Sequence, residues 1–321
     1  GTDRRSDHRQ SNCPTRGINW GAIALTPKWI SRRRAESKLE PMPLIVSLDG
    51  FLNAGSAAQI ASEQLRTEDA EVMHAFDLDS FYDYRARRPA ITFRRDHYCD
   101  YTEPVLQITK HKDLAGRPYL LLAGPEPDFG WESFAAETID MIEELNVNLT
   151  VSLGGIPMGV PHTRPALLTM HGTRKELVDR KNFWNAEVTV PASAQSLLEY
   201  RMGQHGLDAI GYVVHVPHYL AQIEYPTASL ALLDALNVRL GLEIDVEDLR
   251  ARQPDSIHEI EQQIIDQEGE SVLAGLEQQY DAFSRGAADS LLADDDSLPT
   301  GDELADQLEQ FLARQRKDES N

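Results

Sequence analysis

Two polar loops hold the residues with which this chain could do chemistry. In the first, Pro43-Leu44-Ile45-Val46-Ser47-Leu48-Asp49-Gly50, an apolar run stops at Asp-Gly and is followed by Asn53, Gly55 and Ser56 before a helical pattern through Leu65. A carboxylate, an amide and a hydroxyl at the carboxyl end of a strand, with a helix N-terminus behind them, are groups that can hold a polar or anionic ligand. The spacing is neither a P-loop nor a dinucleotide fingerprint, and no lysine stands where a phosphate-binding lysine would. Asp49 also reads as a cap of the turn or helix. The second loop is Val151-Ser152-Leu153-Gly154-Gly155-Ile156-Pro157, followed by His162-Thr163-Arg164. Its glycines permit tight turning or close backbone approach. Arg164 can grip a carboxylate or phosphate, or fix the loop to an acidic neighbouring subunit. With His215 at the end of a later strand, the candidate ligand-binding set is Asp49, Asn53, Ser56, Gly154, Gly155, Arg164 and His215.

Other candidates make no coherent catalytic set. Glu126 and Asp128 follow a buried strand and could act as acid and base, but paired acids in such loops are common without chemistry. His162, His171, His215 and His218 match no zinc spacing and have no cysteine support. Ser152 lies in no nucleophile elbow. The expectation is therefore no catalytic residue, no metal and no cofactor.

These loops are positioned by alternating elements. Strands are predicted at Leu44–Leu48, Ala70–Phe76, Ala90–Phe93, Val105–Lys110, Pro118–Ala123, Asn148–Leu153, Ala166–His171 and Ala209–Val216. Helices are predicted at Gly55–Leu65, Trp131–Leu145, Ser193–Gln204 and Thr227–Leu240, the last ending at Gly241. Ala90–Phe93 and Val105–Lys110 read as an antiparallel pair joined through Tyr98 to Glu103. The fold class is α/β: a mixed central sheet in a three-layer α/β/α arrangement, with an acidic C-terminal helical subdomain. Residues 1–42 read as a basic, disordered or non-native extension, 43–242 as the α/β core and 243–321 as the acidic helical tail. In the tail, Ile257, Ile260, Ile264, Ile265, Val272, Leu276, Tyr280 and Phe283 fall near helical spacing, as do Leu304, Leu308, Phe311 and Leu312.

Charge and composition narrow the class further. The chain has 321 residues and a formal net charge of −21, which argues against a general nucleic-acid or anionic-membrane surface. Residues 1–40 hold nine basic and four acidic side chains, whereas residues 243–321 hold six basic and 22 acidic. The two cysteines, Cys13 and Cys99, provide no disulfide framework and point to a reducing, cytoplasmic setting. No apolar run is long enough to span a membrane, and the basic arm does not read as a secretory signal. The chain begins at Gly1, which is compatible with processing, a non-native leader or translation from an upstream start, and Met42 is a plausible alternative start.

Four segments together resemble the proteasome assembly chaperone 2 family, in its actinobacterial and archaeal branch. They are Leu48-Asp49-Gly50-Phe51 with Ala54-Gly55, Gly124-Pro125-Glu126-Pro127, Ser152 through Pro157, and His162-Thr163-Arg164-Pro165. The resemblance spans roughly residues 43–241, extended in the actinobacterial branch by the acidic tail. It implies a phosphorylase/hydrolase-like sheet and a non-enzymatic assembly or interaction protein that forms a homo-oligomer, with a trimer expected. The alternative is a nucleoside- or nucleotide-like ligand bound by the strand-edge loops, in a sensor or enzyme. The C-terminal hydrophobic-Tyr-any motif of the eukaryotic relatives is absent from Lys317-Asp318-Glu319-Ser320-Asn321. Like charges on the tails predict that they lie at the periphery of an oligomer whose α/β cores meet centrally.

Overall fold

A computed structural model describes residues 39–179, 187–266 and 269–290. The proposed extension 1–42 and the last helical pattern at 304–312 therefore lie almost wholly or wholly outside the described residues. Nine strands and six α-helices are present among the described residues: β1 (Met42–Asp49), α1 (Ala57–Gln64), β2 (Glu71–Ala75), β3 (Thr92–Arg94), β4 (His97–Cys99), β5 (Gln107–Lys112), β6 (Pro118–Pro125), α2 (Trp131–Glu144), β7 (Val147–Met158), β8 (Leu168–Gly172), α3 (Ala194–Gln204), β9 (Ala209–Pro217), α4 (Pro226–Leu240), α5 (Glu247–Asp266) and α6 (Glu270–Ser290).

Seven strands form one sheet in the order β2-β5-β6-β1-β7-β9-β8. The neighbours β6, β1, β7 and β9 run parallel, while β5 with β2 and β6, and β8 with β9, are antiparallel. The expected mixed sheet is thus observed. Strand alternation explains why both faces are covered. Leu44, Val46 and Leu48 of β1 join a core with Phe134, Ile139 and Ile142 of α2 and Leu198 and Met202 of α3. Ile45, between them, joins the opposite core with Ile60 of α1, Leu232, Leu233 and Leu236 of α4, and Leu249 and Ile260 of α5. A strand apolar on both sides needs helices on both sides. α4 ends at Gly241, whose φ of 63° is the left-handed geometry of a helix C-terminus.

Two expectations are corrected. Ala90–Phe93 and Val105–Lys110 do not pair. Thr92–Arg94 folds back onto His97–Cys99 as a separate two-stranded sheet, and Gln107–Lys112 enters the main sheet between β2 and β6. Arg95 adopts a φ of 60°, which closes the chain after Arg94 instead of through Tyr98 to Glu103. In addition, Gly154 to Pro157 are not a turn. They continue β7 and pair with Val213 to Val216 of β9.

Three histidines are sealed inside this frame. His111, His162 and His215 are buried. Burial pulls each imidazole below its ordinary value; Arg66 acts in the same direction on His111, and Glu261 and Glu277 oppose it at His162. The unfolded chain binds these protons near pH ~6.5 and the fold resists them. Their contribution to stability is therefore complete above that value and is lost as pH falls below it. Thermal melting from neutral pH down to about pH 5 should show a declining Tm before carboxylates titrate, and His215→Gln should flatten part of that decline. A Tm independent of pH across this window would contradict the assignment.

Candidate functional site

The carboxyl edge of the parallel strands is where an α/β sheet offers a crevice, because helices leave neighbouring strands toward opposite faces. α1 packs on β1 and β7, whereas α2 leaves β6 for the other face. Two open crevices of about 350 Å³ each lie at this β1/β6 edge. One is lined by Ser47, Asp49, Gln59, Ser62, Glu63, Arg66, Tyr82, Pro104, Gly124 and Pro125. The other is lined by Gly50, Arg87, Glu126, Pro127, Asp128 and Trp131.

The structure brings Asp49, Asn53, Ser56, Gly154 and Gly155 close together, but mainly to hold one another. Asn53 Nδ2 donates to Asp49 Oδ1 at 3.0 Å, and Asn53 Oδ1 accepts from the Gln59 amide at 3.2 Å. Asn53 also bridges to Gly155, whose amide donates to the Leu52 carbonyl at 2.8 Å. A Cβ on Gly154 would stand 3.2 Å from the Leu52 Cβ, and one on Gly155 would stand 3.0 Å from the Ala54 carbonyl oxygen. These glycines thus serve close approach of the first loop to β7. The Gly55 and Ser56 amides donate to the carbonyls of Ala221 and Asn53. The Gly55, Ser56 and Gln59 amides, around the start of α1, are therefore engaged from within the chain.

Arg164 and His215 stand apart from both crevices. His215 Nε2 lies 2.8 Å from Thr169 Oγ1 on the neighbouring strand. Arg164 meets acids, but they belong to its own chain. Its Nε and Nη2 donate to Asp281 Oδ1 and Oδ2, both at 2.8 Å, and its Nη1 donates to Glu277 Oε1 at 3.3 Å. Hydrogen bonding to Arg164 lowers the Asp281 pKa and raises that of the guanidinium. Tyr280 adds a hydroxyl bond to the Pro165 carbonyl at 2.9 Å, and Thr163 bonds Glu277. The 162–165 segment is thus the seat of α6. Arg164→Ala should raise amide exchange and proteolytic cleavage in α6 while leaving the sheet protected; unchanged protection of α6 would refute this seat.

Glu126 has a role that its position after a strand did not reveal. Its Oε2 accepts from the Phe51 amide at 2.9 Å, and its Oε1 accepts from the Ala194 amide at 2.7 Å, at the first residue of α3. One carboxylate therefore ties the β1 loop to a helix N-terminus. A Cβ on Gly50 would lie 2.0 Å from Glu126 Oε2, so the closeness requires glycine. Asp128 accepts from the Asp83 amide at 2.7 Å and from Arg87, which lies 4.5 Å over the Tyr82 ring. Only a contact map could have disclosed these partners, since they are remote in sequence. Glu126→Ala removes two accepted bonds and should lower stability by about 1–3 kcal/mol in denaturant unfolding; a loss within ~0.5 kcal/mol, as for an ordinary surface change, would contradict the tie.

The remaining histidines do not converge. His162 Nδ1 lies 2.9 Å from the Tyr219 hydroxyl, and His171 Nδ1 lies 2.8 Å from Glu199 Oε1. Among the described residues no group of three His, Cys, Asp or Glu could hold a metal ion. Among the same residues no helix is long and apolar enough to cross a membrane.

Comparison with known proteins places this architecture. None of the curated proteins matches the chain. Among solved structures, a Mycobacterium tuberculosis protein of unknown function is 38% identical, with a TM-score of 0.74 over 82% of this chain and 91% of its own. A Corynebacterium glutamicum protein of unknown function is 32% identical, with a TM-score of 0.72 over 79% of this chain and 96% of its own. A Mycobacterium tuberculosis proteasome-assembly chaperone homologue is 26% identical, with a TM-score of 0.65 over 70% of this chain and 95% of its own. The PAC2 family model matches residues 47–267, from the first polar loop through the end of α5. The shared sheet, the loop seated on its central strands and the match across most of the sequence establish that the chain belongs to the PAC2 family.

Proposed function

We propose that this chain is a non-enzymatic assembly or interaction protein that works as a cytoplasmic homo-oligomer, with three copies as the expected number. The observation that carries this reading is the self-engagement of the carboxyl edge. Asp49, Asn53, Gly155 and Glu126 bond to neighbouring parts of the chain, and neither crevice unites Asp49 with Gly154, Arg164 and His215. Likeness to the Mycobacterium tuberculosis proteasome-assembly chaperone homologue supports the same class of activity, with proteasome subunits as the natural first partners to test.

A second reading rests on the crevice beside Asp49. Glu63 and Arg66 place both signs of charge around a volume of about 350 Å³, a size that accommodates a small polar molecule such as a nucleoside. The two readings separate in one experiment. Sedimentation at micromolar protein should show a stable oligomer, and thermal melting with nucleosides, nucleotides and amino acids should leave Tm unchanged. A ligand-dependent rise in Tm that is abolished by Arg66→Ala would favour the small-molecule reading. A monomer at every concentration would remove the oligomer reading.

A further inference from the structure

The β3–β4 hairpin carries a group of exposed apolar side chains. It lies outside the main sheet, and an isolated two-stranded hairpin is at best marginally stable in water. Phe93 and Tyr98 face each other across it with ring centroids 5.2 Å apart, yet expose 60% and 70% of their surface. Ile91 and Tyr101 extend the patch at 50% and 51% exposure. Aromatic side chains held open to water on a projecting ribbon have the composition of interface anchors.

The charge around this patch is opposite to that of the molecule. Residues 84–99 contain five arginines and a single acid, in a chain whose net charge is −21. Arg94 pairs with Asp100 at 2.9 Å and Arg87 with Asp128, whereas Arg85, Arg88 and Arg95 are exposed and make no ion pair among the described residues. The stretch 247–290, from the start of α5 to the end of α6, contains eleven acidic side chains and three basic ones. Near the connection between these helices, Ile265 and Val272 are 53% and 60% exposed. Glu261, one turn before Ile265, and Glu270, at the start of α6, are exposed beside them. The α5–α6 elbow thus presents apolar side chains rimmed by negative charge, while the hairpin presents aromatic side chains rimmed by positive charge.

The topology sets these surfaces toward opposite edges of the sheet. The hairpin is inserted between β2 and β5, the two outermost strands on one side. α6 sits on the segment that joins β7 to β8, and β8 is the outermost strand on the other side. Two different, complementary patches on opposite flanks make a head-to-tail contact, the type that forms a ring when its rotation closes and a filament when it does not.

We infer that the β3–β4 hairpin of one copy docks on the α5–α6 elbow of a second copy, with Phe93 and Tyr98 against Ile265 and Val272 and arginines against Glu261 and Glu270. This rests on the homo-oligomer reading above and deepens it by naming the contact. It also revises the expectation that repulsion keeps the tails at the periphery, because the hairpin supplies the neutralising charge at a subunit boundary.

Charge reversal in the full chain tests the contact. Sedimentation velocity at micromolar protein would compare wild type with F93S/Y98S, R94E/R95E, E261R/E270R and the combined four-site charge reversal, each checked for an unchanged circular dichroism spectrum and Tm. The expected result is an oligomeric wild type, a shift toward monomer in each two-site variant, and recovery of the oligomer in the combined variant. Salt at about 1 M, where the Debye length is ~3 Å, should weaken the wild-type oligomer. Two-site variants that sediment like an oligomeric wild type would overturn the contact and leave the oligomer reading standing. Dissociation of R94E/R95E without recovery in the combined variant would overturn the elbow as the occupant. A wild type that is monomeric throughout would remove the oligomer reading itself.

Discussion

The close approach of the β1–α1 loop to β7 organises the candidate site. Gly154 and Gly155 carry no side chain, so the Leu52 Cβ and the Ala54 carbonyl oxygen can approach to 3.2 and 3.0 Å of where a Cβ would be. The contact lets the Gly155 amide bond Leu52 and sets Asn53 beside β7. Asn53 then links the Asp49 carboxylate to the Gln59 amide, and through it to the first turn of α1. A side chain at either glycine would force Leu52 or the Ala54 carbonyl to give by a few tenths of an ångström, which loosens the seat of the loop on β7. The polar groups at the sheet edge thus hold the loop on the sheet.

A comparable economy governs the acidic tail. A helix with many carboxylates and a half-covered apolar stripe has little reason to settle on an acidic core by itself. Arg164 supplies a planar, bidentate partner for Asp281 and a weaker one for Glu277. Exposed ion pairs add little when isolated. Here the pairing is accompanied by the Tyr280 hydroxyl bond, and Leu249 and Ile260 of the preceding helix are buried in the core. Orientation of α6 thus comes from polar contacts, and attachment of α5 from its apolar anchors.

Glu126 shows how one side chain can join distant layers. It binds the amide of Phe51 on one side of the edge and that of Ala194 at the head of α3 on the other. Together with Asp128 and Arg87, it turns the end of β6 into a junction between the β1 loop, the segment before the hairpin and the second helical layer. The hairpin therefore projects from a braced base, which suits a surface that meets another subunit.

Local pattern was sufficient for the alternating elements, the mixed sheet and the helical character of α5 and α6, because apolar periodicity is a property of neighbouring residues. The stop at Gly241 and the strand ending at Asp49 were legible for the same reason. The four family segments were legible because their order is written along the chain. The destination of each polar side chain was not. Arg164 reads alike whether its carboxylate comes from a ligand, another subunit or a helix more than a hundred residues onward. Gly154-Gly155 reads as a turn when the loop that crosses them is out of view. The hairpin pairing was misread because several antiparallel partners are compatible with one short apolar run, and a left-handed Arg95 selected the nearest. Sequence determines which groups are available and the elements that carry them; only the tertiary fold decides which groups meet, because hydrogen bonds and close packing act over a few ångströms of space, whatever the separation along the chain.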